Sequence, residues 1–143
     1  MTGAVTGRHP SPRVLLAVAL GGAVGAVLRW GLGEAFPDSS GFPWTTFTIN
    51  VSGSCALALL PAVASVRARP ALVAGLGPGL LGGFTTLSAY AEQGRALWAE
   101  GEGPLAAAYL GGTLLACLLA VALASRLTTA AQRDELAAEA GDT

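Results

Sequence analysis

Polar and apolar positions along the chain sort into four long apolar stretches separated by short polar ones. Val14–Gly33, Pro43–Ser65, Ala71–Ala91 and Pro104–Ser125 run 20 to 23 residues each and hold one formal charge between them, Arg29. At roughly 1.5 Å of rise per residue, each is long enough to cross a hydrocarbon core of about 30 Å as a helix. The pattern predicts an all-α integral membrane fold with spans at about 14–33, 43–65, 71–91 and 104–125, inside a membrane domain over 14–126. Residues 1–13, rich in Gly, Pro, Ser and Thr, read as a disordered N-terminus, and 127–143 as a polar, alanine-rich C-terminal tail able to extend the last helix to a frayed end. Arg8 and Arg13 ahead of the first apolar run resemble the start of a cleaved leader. The run's length, its glycines and Arg29 near its far end fit a retained helix better.

Composition agrees with lipid as the solvent: 52% of residues are hydrophobic and only 12% charged, unlike a soluble domain of this size. The connections, about Glu34–Phe42, Val66–Pro70 and Glu92–Gly103, are too short to house a catalytic domain. The single histidine, His9, sits in the N-terminal segment, so neither a histidine triad nor a metal cluster can be assembled. Cys55 and Cys117 fall inside apolar windows and read as packing residues. The chain reads as neither an enzyme nor a nucleic-acid binder.

Arginine placement says more than the net charge of −1. With four spans, both termini and the second connection share one side of the membrane. That side carries Arg8, Arg13, Arg67, Arg69, Arg126 and Arg133, against Arg95 in the opposite connections, and the chain has no lysine. The positive-inside rule places both termini in the cytoplasm of a cell-membrane protein.

Polar groups within the apolar windows are expensive and tend to mark function. Asn50 lies in "TFTINVSGS" and needs partners for an amide with donors and acceptors; an interhelical hydrogen bond or a functional role would each supply them. Arg29 can snorkel to the interface beside Trp30, or stand as a fixed positive charge that draws an anion into a vestibule. Gly21, Gly22 and Gly25 are spaced for close helix approach. In "GGFTTLSAY", Gly82-Gly83 follow Pro78-Gly79, poor material for a helix, so the third span is expected to break near Gly82–Thr86. Such a break is tolerated only where freed backbone groups are buried in protein or line a wet cavity, which predicts an ion or water site there.

Three ordered stretches, "GGAVGAVLRW", "TFTINVSGS" and above all "GGFTTLSAY", resemble the Fluc (CrcB) fluoride channels, whose usual third-span pattern reads G-G-F/L-T-T-F-S-T-F. The resemblance covers about residues 14–125. It implies an antiparallel dimer with two pores that passively exports fluoride. It also implies a structural Na+ at the dimer centre, held by the backbone carbonyls of Gly82 and Thr85. Asn50, Ser88, Tyr109 and Thr113 match the polar lining of the anion path, and Arg29 matches a vestibule arginine.

Two departures stand out. The family's paired phenylalanines, whose ring edges face the anion, fall at Leu87 and Tyr90, and Ala89 replaces a threonine. The arginine bias of six to one favours a single orientation, whereas an antiparallel homodimer needs both. Together these favour a heterodimer with a related subunit of opposite orientation over pairing with itself. Two other readings compete: a small four-helix drug/proton antiporter and a non-conducting partner subunit. The antiporter needs an intramembrane carboxylate, and the four windows have none.

Overall fold

The computed structural model describes residues 10–38 and 41–141. Most of the N-terminal segment, His9 included, lies outside the described residues, so the disorder read there is not addressed. Helix α1 covers Pro12–Ala35, with proline at its start, where a missing N–H costs nothing. Helix α2 covers Trp44–Leu59 and tightens into a 3-10 turn at Leu60–Ala62, around Pro61. A short helix α3, Ala64–Arg67, leads into the third span. That span is composite. Helix α4 (Pro70–Ala74) widens into a π-helical stretch, Gly75–Leu81, and returns to helix in α5 (Gly82–Phe84). Two extended residues, Thr85 and Thr86, separate it from α6 (Leu87–Ala99). Helix α7 runs unbroken from Gly103 to Gly141. No strand occurs among the described residues.

Four helical stretches are long and apolar enough to cross a membrane: Pro12–Ala35, Trp44–Ala62, Pro70–Ala99 and Gly103–Thr129. The protein is therefore an all-α, multi-pass membrane protein. One boundary differs from the sequence reading: the third span continues past the apolar window's end at Ala91. The fourth helix runs on to Gly141, along the tail in which a helical extension is expected. In both places charged residues end the hydropathy signal while the helix persists. Glu92 and Arg95, one turn apart, pair on the exposed side of α6 at 2.6 and 2.8 Å, and Gly94 on the inner side lets Leu110 pack close. The third connection shrinks to Glu100–Glu102. There Gly101 takes a left-handed φ of 84°, its N–H bonds the Trp98 carbonyl and the Glu102 N–H bonds the Leu97 carbonyl, a Schellman stop.

The third span's glycines also behave differently from expectation. Gly82 is helical, with φ −65° and ψ −36°, and the break falls after it, at Thr85–Thr86. Upstream, glycines serve contact. Helix α1 lies directly on the π-helical stretch and on α5. A methyl group on Gly25 would be driven into the Leu80 carbonyl, and one on Gly83 into the backbone of Gly22.

Burial is the reverse of a water-soluble fold. Few apolar side chains are buried among the described residues; one cluster joins Leu97, Ala106 and Tyr109, with Phe42, Phe47, Tyr90, Leu105 and Leu110 packed around it. Large apolar residues such as Leu16, Val27, Trp30 and Leu115 point outward. In water such a surface would aggregate; in lipid it is a solvated exterior.

Candidate functional site

The site is built where the third span breaks, and α2 holds it open. Asn50 and Gly53, one turn apart on α2, face the two extended residues. Gly53 leaves room for the Thr85 methyl group. Asn50, 9% exposed, clamps Thr86 at both backbone groups: its Nδ2 donates to the Thr86 carbonyl at 3.1 Å, and its Oδ1 accepts from the Thr86 N–H at 2.8 Å. One amide side chain thus replaces the hydrogen bonds that a continuous helix would have supplied. The interhelical bond considered for Asn50 exists, but its partner is backbone rather than a small side chain.

Side-chain bonds on either side of the break set which groups are freed. The Thr85 N–H and Oγ1 both donate to the Leu81 carbonyl, at 3.0 and 2.9 Å, closing the end of α5. Thr86 Oγ1 accepts from the Ala89 N–H at 3.1 Å, an N-cap for α6, and lies 3.2 Å from Ser88 Oγ. The carbonyls of residues 82–85 lose their helical donors as a result, and two of those donors are redirected to side chains. The Thr86 N–H, partner of the Gly82 carbonyl in a regular helix, goes to Asn50, and the Ala89 N–H, partner of the Thr85 carbonyl, goes to Thr86 Oγ1. Gly82 lies on an exposed face and Thr85 is half-buried. Oxygen donors of this kind suit a hard cation such as Na+. The Gly83 carbonyl is already engaged: Arg29 Nε donates to it at 3.2 Å.

Two cavities meet at Thr86. The inner one, about 450 Å³, is lined by Asn50, Gly82, Thr85 and Thr86 at the break, by Leu87 and Tyr90 of α6, and by Thr113 and Cys117 of α7. Ser54 of α2 adds one more polar side chain, and the rest of the wall is apolar. One side is open: Leu87 is 77% exposed and Leu114 58%. Thr113 stands out, because its hydroxyl is buried and has no hydrogen-bond partner. Buried polar groups are nearly always paired, so an enclosed hydroxyl without a partner, on a residue that borders the cavity, is an exception in this fold. The second cavity, about 420 Å³, is more polar and holds Arg29, Glu34, Asp38, Thr45, Thr86 and Gln93. Its charged lining is one guanidinium, Arg29, against two carboxylates, Glu34 and Asp38; it is called the mouth below. Arg29 thus both ties α1 to the break and lines this mouth.

The remaining sequence-read residues fall around these cavities. Tyr90 donates its hydroxyl to the Leu110 carbonyl at 2.7 Å, so the group added relative to phenylalanine is tied to α7, and its ring lies 5.5 Å from that of Tyr109. Ser88 is exposed, and like Tyr109 it lies outside both linings. Tyr109 is fully buried, edge-on to Phe42, with its hydroxyl on Gln93 Oε1 at 2.8 Å. Gln93 in turn reaches Asp38 at 3.4 Å, and Asp38 accepts from the Thr45 N–H at 2.8 Å.

Sequence reasoning placed Thr86 at the break without giving it a role in the site, and missed Gln93. A signal existed for Thr86, a threonine N-cap ahead of "LSAYAE". None existed for Gln93, whose role comes from contacts between distant elements.

The sequence profile of the family described as CrcB-like protein, Camphor Resistance (CrcB), matches residues 16–125. The fluoride-specific ion channel FluC 1 of Streptomyces coelicolor is 47% identical over 116 residues, covering 78% of this chain and 75% of that protein. FluC 2 of Nocardia farcinica is 41% identical over 128 residues, covering 85% and 91%. FluC of Paracoccus denitrificans is 41% identical over 110 residues, covering 74% and 86%. The match spans all four membrane helices and both cavities, and this chain belongs to the CrcB-like family.

Proposed function

We propose that the chain is a subunit of a fluoride-selective channel that lets cytoplasmic fluoride leave the cell passively. The observation that carries this reading is the break in the third span, which brings Asn50, Thr86 and Thr113, with its unpartnered hydroxyl, to one cavity. A small, strongly hydrated anion enters such a space only if hydrogen-bond donors replace its water. The hydroxyl is one donor. The second N–H of Asn50, beyond the one given to Thr86, is another. The N-terminal end of α6 at the break adds the positive end of a helix dipole. The family relationship, with relatives named as fluoride-specific channels, supports the same substrate.

The carbonyl end of the same break has the opposite preference. Gly82 and Thr85, deprived of helical donors, would hold a structural Na+ together with a second subunit. The open side of the inner cavity, at Leu87 and Leu114, supports a second subunit as its cover. The arginine bias of six to one orients this chain with both termini cytoplasmic and favours, as that cover, a related subunit inserted the other way. That partner would also supply the aromatic edges that Leu87 lacks.

The test is fluoride efflux from liposomes, read with a fluoride electrode, for this chain alone and with its co-purified partner. Thr113→Val keeps the shape and removes the donor. A channel loses efflux while its thermal stability holds or rises. Unchanged efflux with lowered stability would make the hydroxyl a packing group and overturn the reading. Strong selective efflux from the chain alone would overturn the need for a different partner.

A further inference from the structure

The arginines of this chain fall into two groups. Arg29 donates to the Gly83 carbonyl, Arg67 to the Pro61 carbonyl at 2.9 Å, and Arg95 to Glu92. The guanidinium groups of Arg13, Arg69 and Arg126 are exposed and bond no other group among the described residues. All three belong to one end of the bundle. Arg13 opens α1, Arg69 immediately precedes α4, and Arg126 follows the last apolar window on α7.

Arg13 and Arg69 are brought together by glycine packing deeper in the membrane. Helices α1 and α4 touch and run the same way: Gly75 faces Ala17, and Gly25 faces Leu80. Counted back from the first of those contacts, Arg13 lies four residues away and Arg69 six, ~6 and ~9 Å along the helix axes, so the two start within a turn of the same height. No acid occurs before Glu34 or between Asp38 and Glu92, so neither helix carries a carboxylate to neutralise the pair. Exposed apolar side chains begin within a turn of each arginine, Leu15 and Leu16 on α1 and Leu72 and Val73 on α4. A soluble anion would meet only the charge there; an amphiphile meets the charge and the oil together. The opposite end is anchored differently, by exposed Trp30, Trp44 and Trp98 beside the carboxylates Glu34 and Glu100. Tryptophan settles among headgroups of any charge, whereas guanidinium groups pair with phosphate.

We propose that the seam between the starts of α1 and α4 binds an anionic phospholipid, its phosphate held by Arg13 and Arg69 and its acyl chains lying along the apolar residues beyond them. Arg126 adds to the positive surface that gathers such lipids at this end. The site holds whichever ion the chain conducts, because it lies outside both cavities.

The experiment strips lipid from the full-length protein, with its co-purified partner, in a neutral detergent and follows the unfolding temperature as phosphatidylglycerol is added. Phosphatidylcholine and inorganic phosphate form separate arms. Phosphatidylglycerol is expected to raise the unfolding temperature saturably, less so in high salt, and phosphatidylcholine at the same mole fraction to leave it unchanged. Arg13→Gln combined with Arg69→Gln should raise the half-saturating phosphatidylglycerol about thirtyfold, and either alone about fivefold. Arg95→Gln, at the other end and already paired, should match the unaltered chain. An equal response to the two lipids overturns the proposal without recourse to any variant. An unchanged titration in the double variant, or in both single variants if the double one assembles poorly, overturns the placement at this seam. A rise with inorganic phosphate equal to that with phosphatidylglycerol makes the seam a soluble-anion site and overturns the lipid. None of these readouts uses fluoride flux, so failure of the channel reading leaves them intact.

Discussion

The third span departs from a regular helix twice, and the two departures have opposite character. At Gly75–Leu81 the backbone is π-helical around Pro78, and its outer face is pressed onto α1 so closely that no methyl group fits at Gly25. At Thr85–Thr86 the chain is extended, its partners are side chains, and it borders two cavities. Both stretches contain residues that weaken helices. The first touches the inner cavity too, at Gly77, Pro78 and Leu81, but only in the second are main-chain groups taken over by side chains from elsewhere. An irregular membrane helix is therefore not evidence of function in itself; what counts is whether the displaced backbone groups are covered by packing or left available.

Breaking the packed stretch should have the largest effect. Gly25→Val forces a side chain into the Leu80 carbonyl, and its cost should reach or exceed the ~3 kcal/mol upper end of overpacking. The expected outcome is loss of the monodisperse species in size-exclusion chromatography. Asn50→Leu strikes the open stretch and strands the N–H and carbonyl of Thr86, at about 1–3 kcal/mol each. It should lower the unfolding temperature and abolish efflux together, so by itself it does not separate a packing role from a conducting one.

Thr113→Val makes that separation. A fall in efflux of about tenfold, equivalent to ~1.4 kcal/mol at the barrier, is expected with no loss in unfolding temperature. The smallest effect belongs to Arg95→Ala. Its pair with Glu92 is exposed on both sides, so neither efflux nor unfolding temperature should change measurably. A clear change there would mean that the polar end of α6 does more than shed water.

Much of this arrangement could be read before folding. Four charge-poor windows gave the spans, because lipid demands length and apolarity together, and "GGFTTLSAY" located the break to within a few residues. The extension of α6 to Ala99 was hidden, since hydropathy stops at Glu92 although Glu92, Gln93 and Arg95 are good helix formers. The glycines at 82 and 83 were read as the cause of the break, but they remain helical, and Gly83 serves its contact with Gly22. Asn50 could be flagged as costly without revealing its partner. That partner is a backbone amide 36 residues away, a fact of tertiary structure that no local pattern encodes.

Thr86 borders both cavities, and its main chain is fixed by a single carboxamide. The partition between mouth and interior is thus made of peptide rather than of side chain. Substitutions around it can retune polarity on either face without moving the partition, while position 50 alone decides whether it stands.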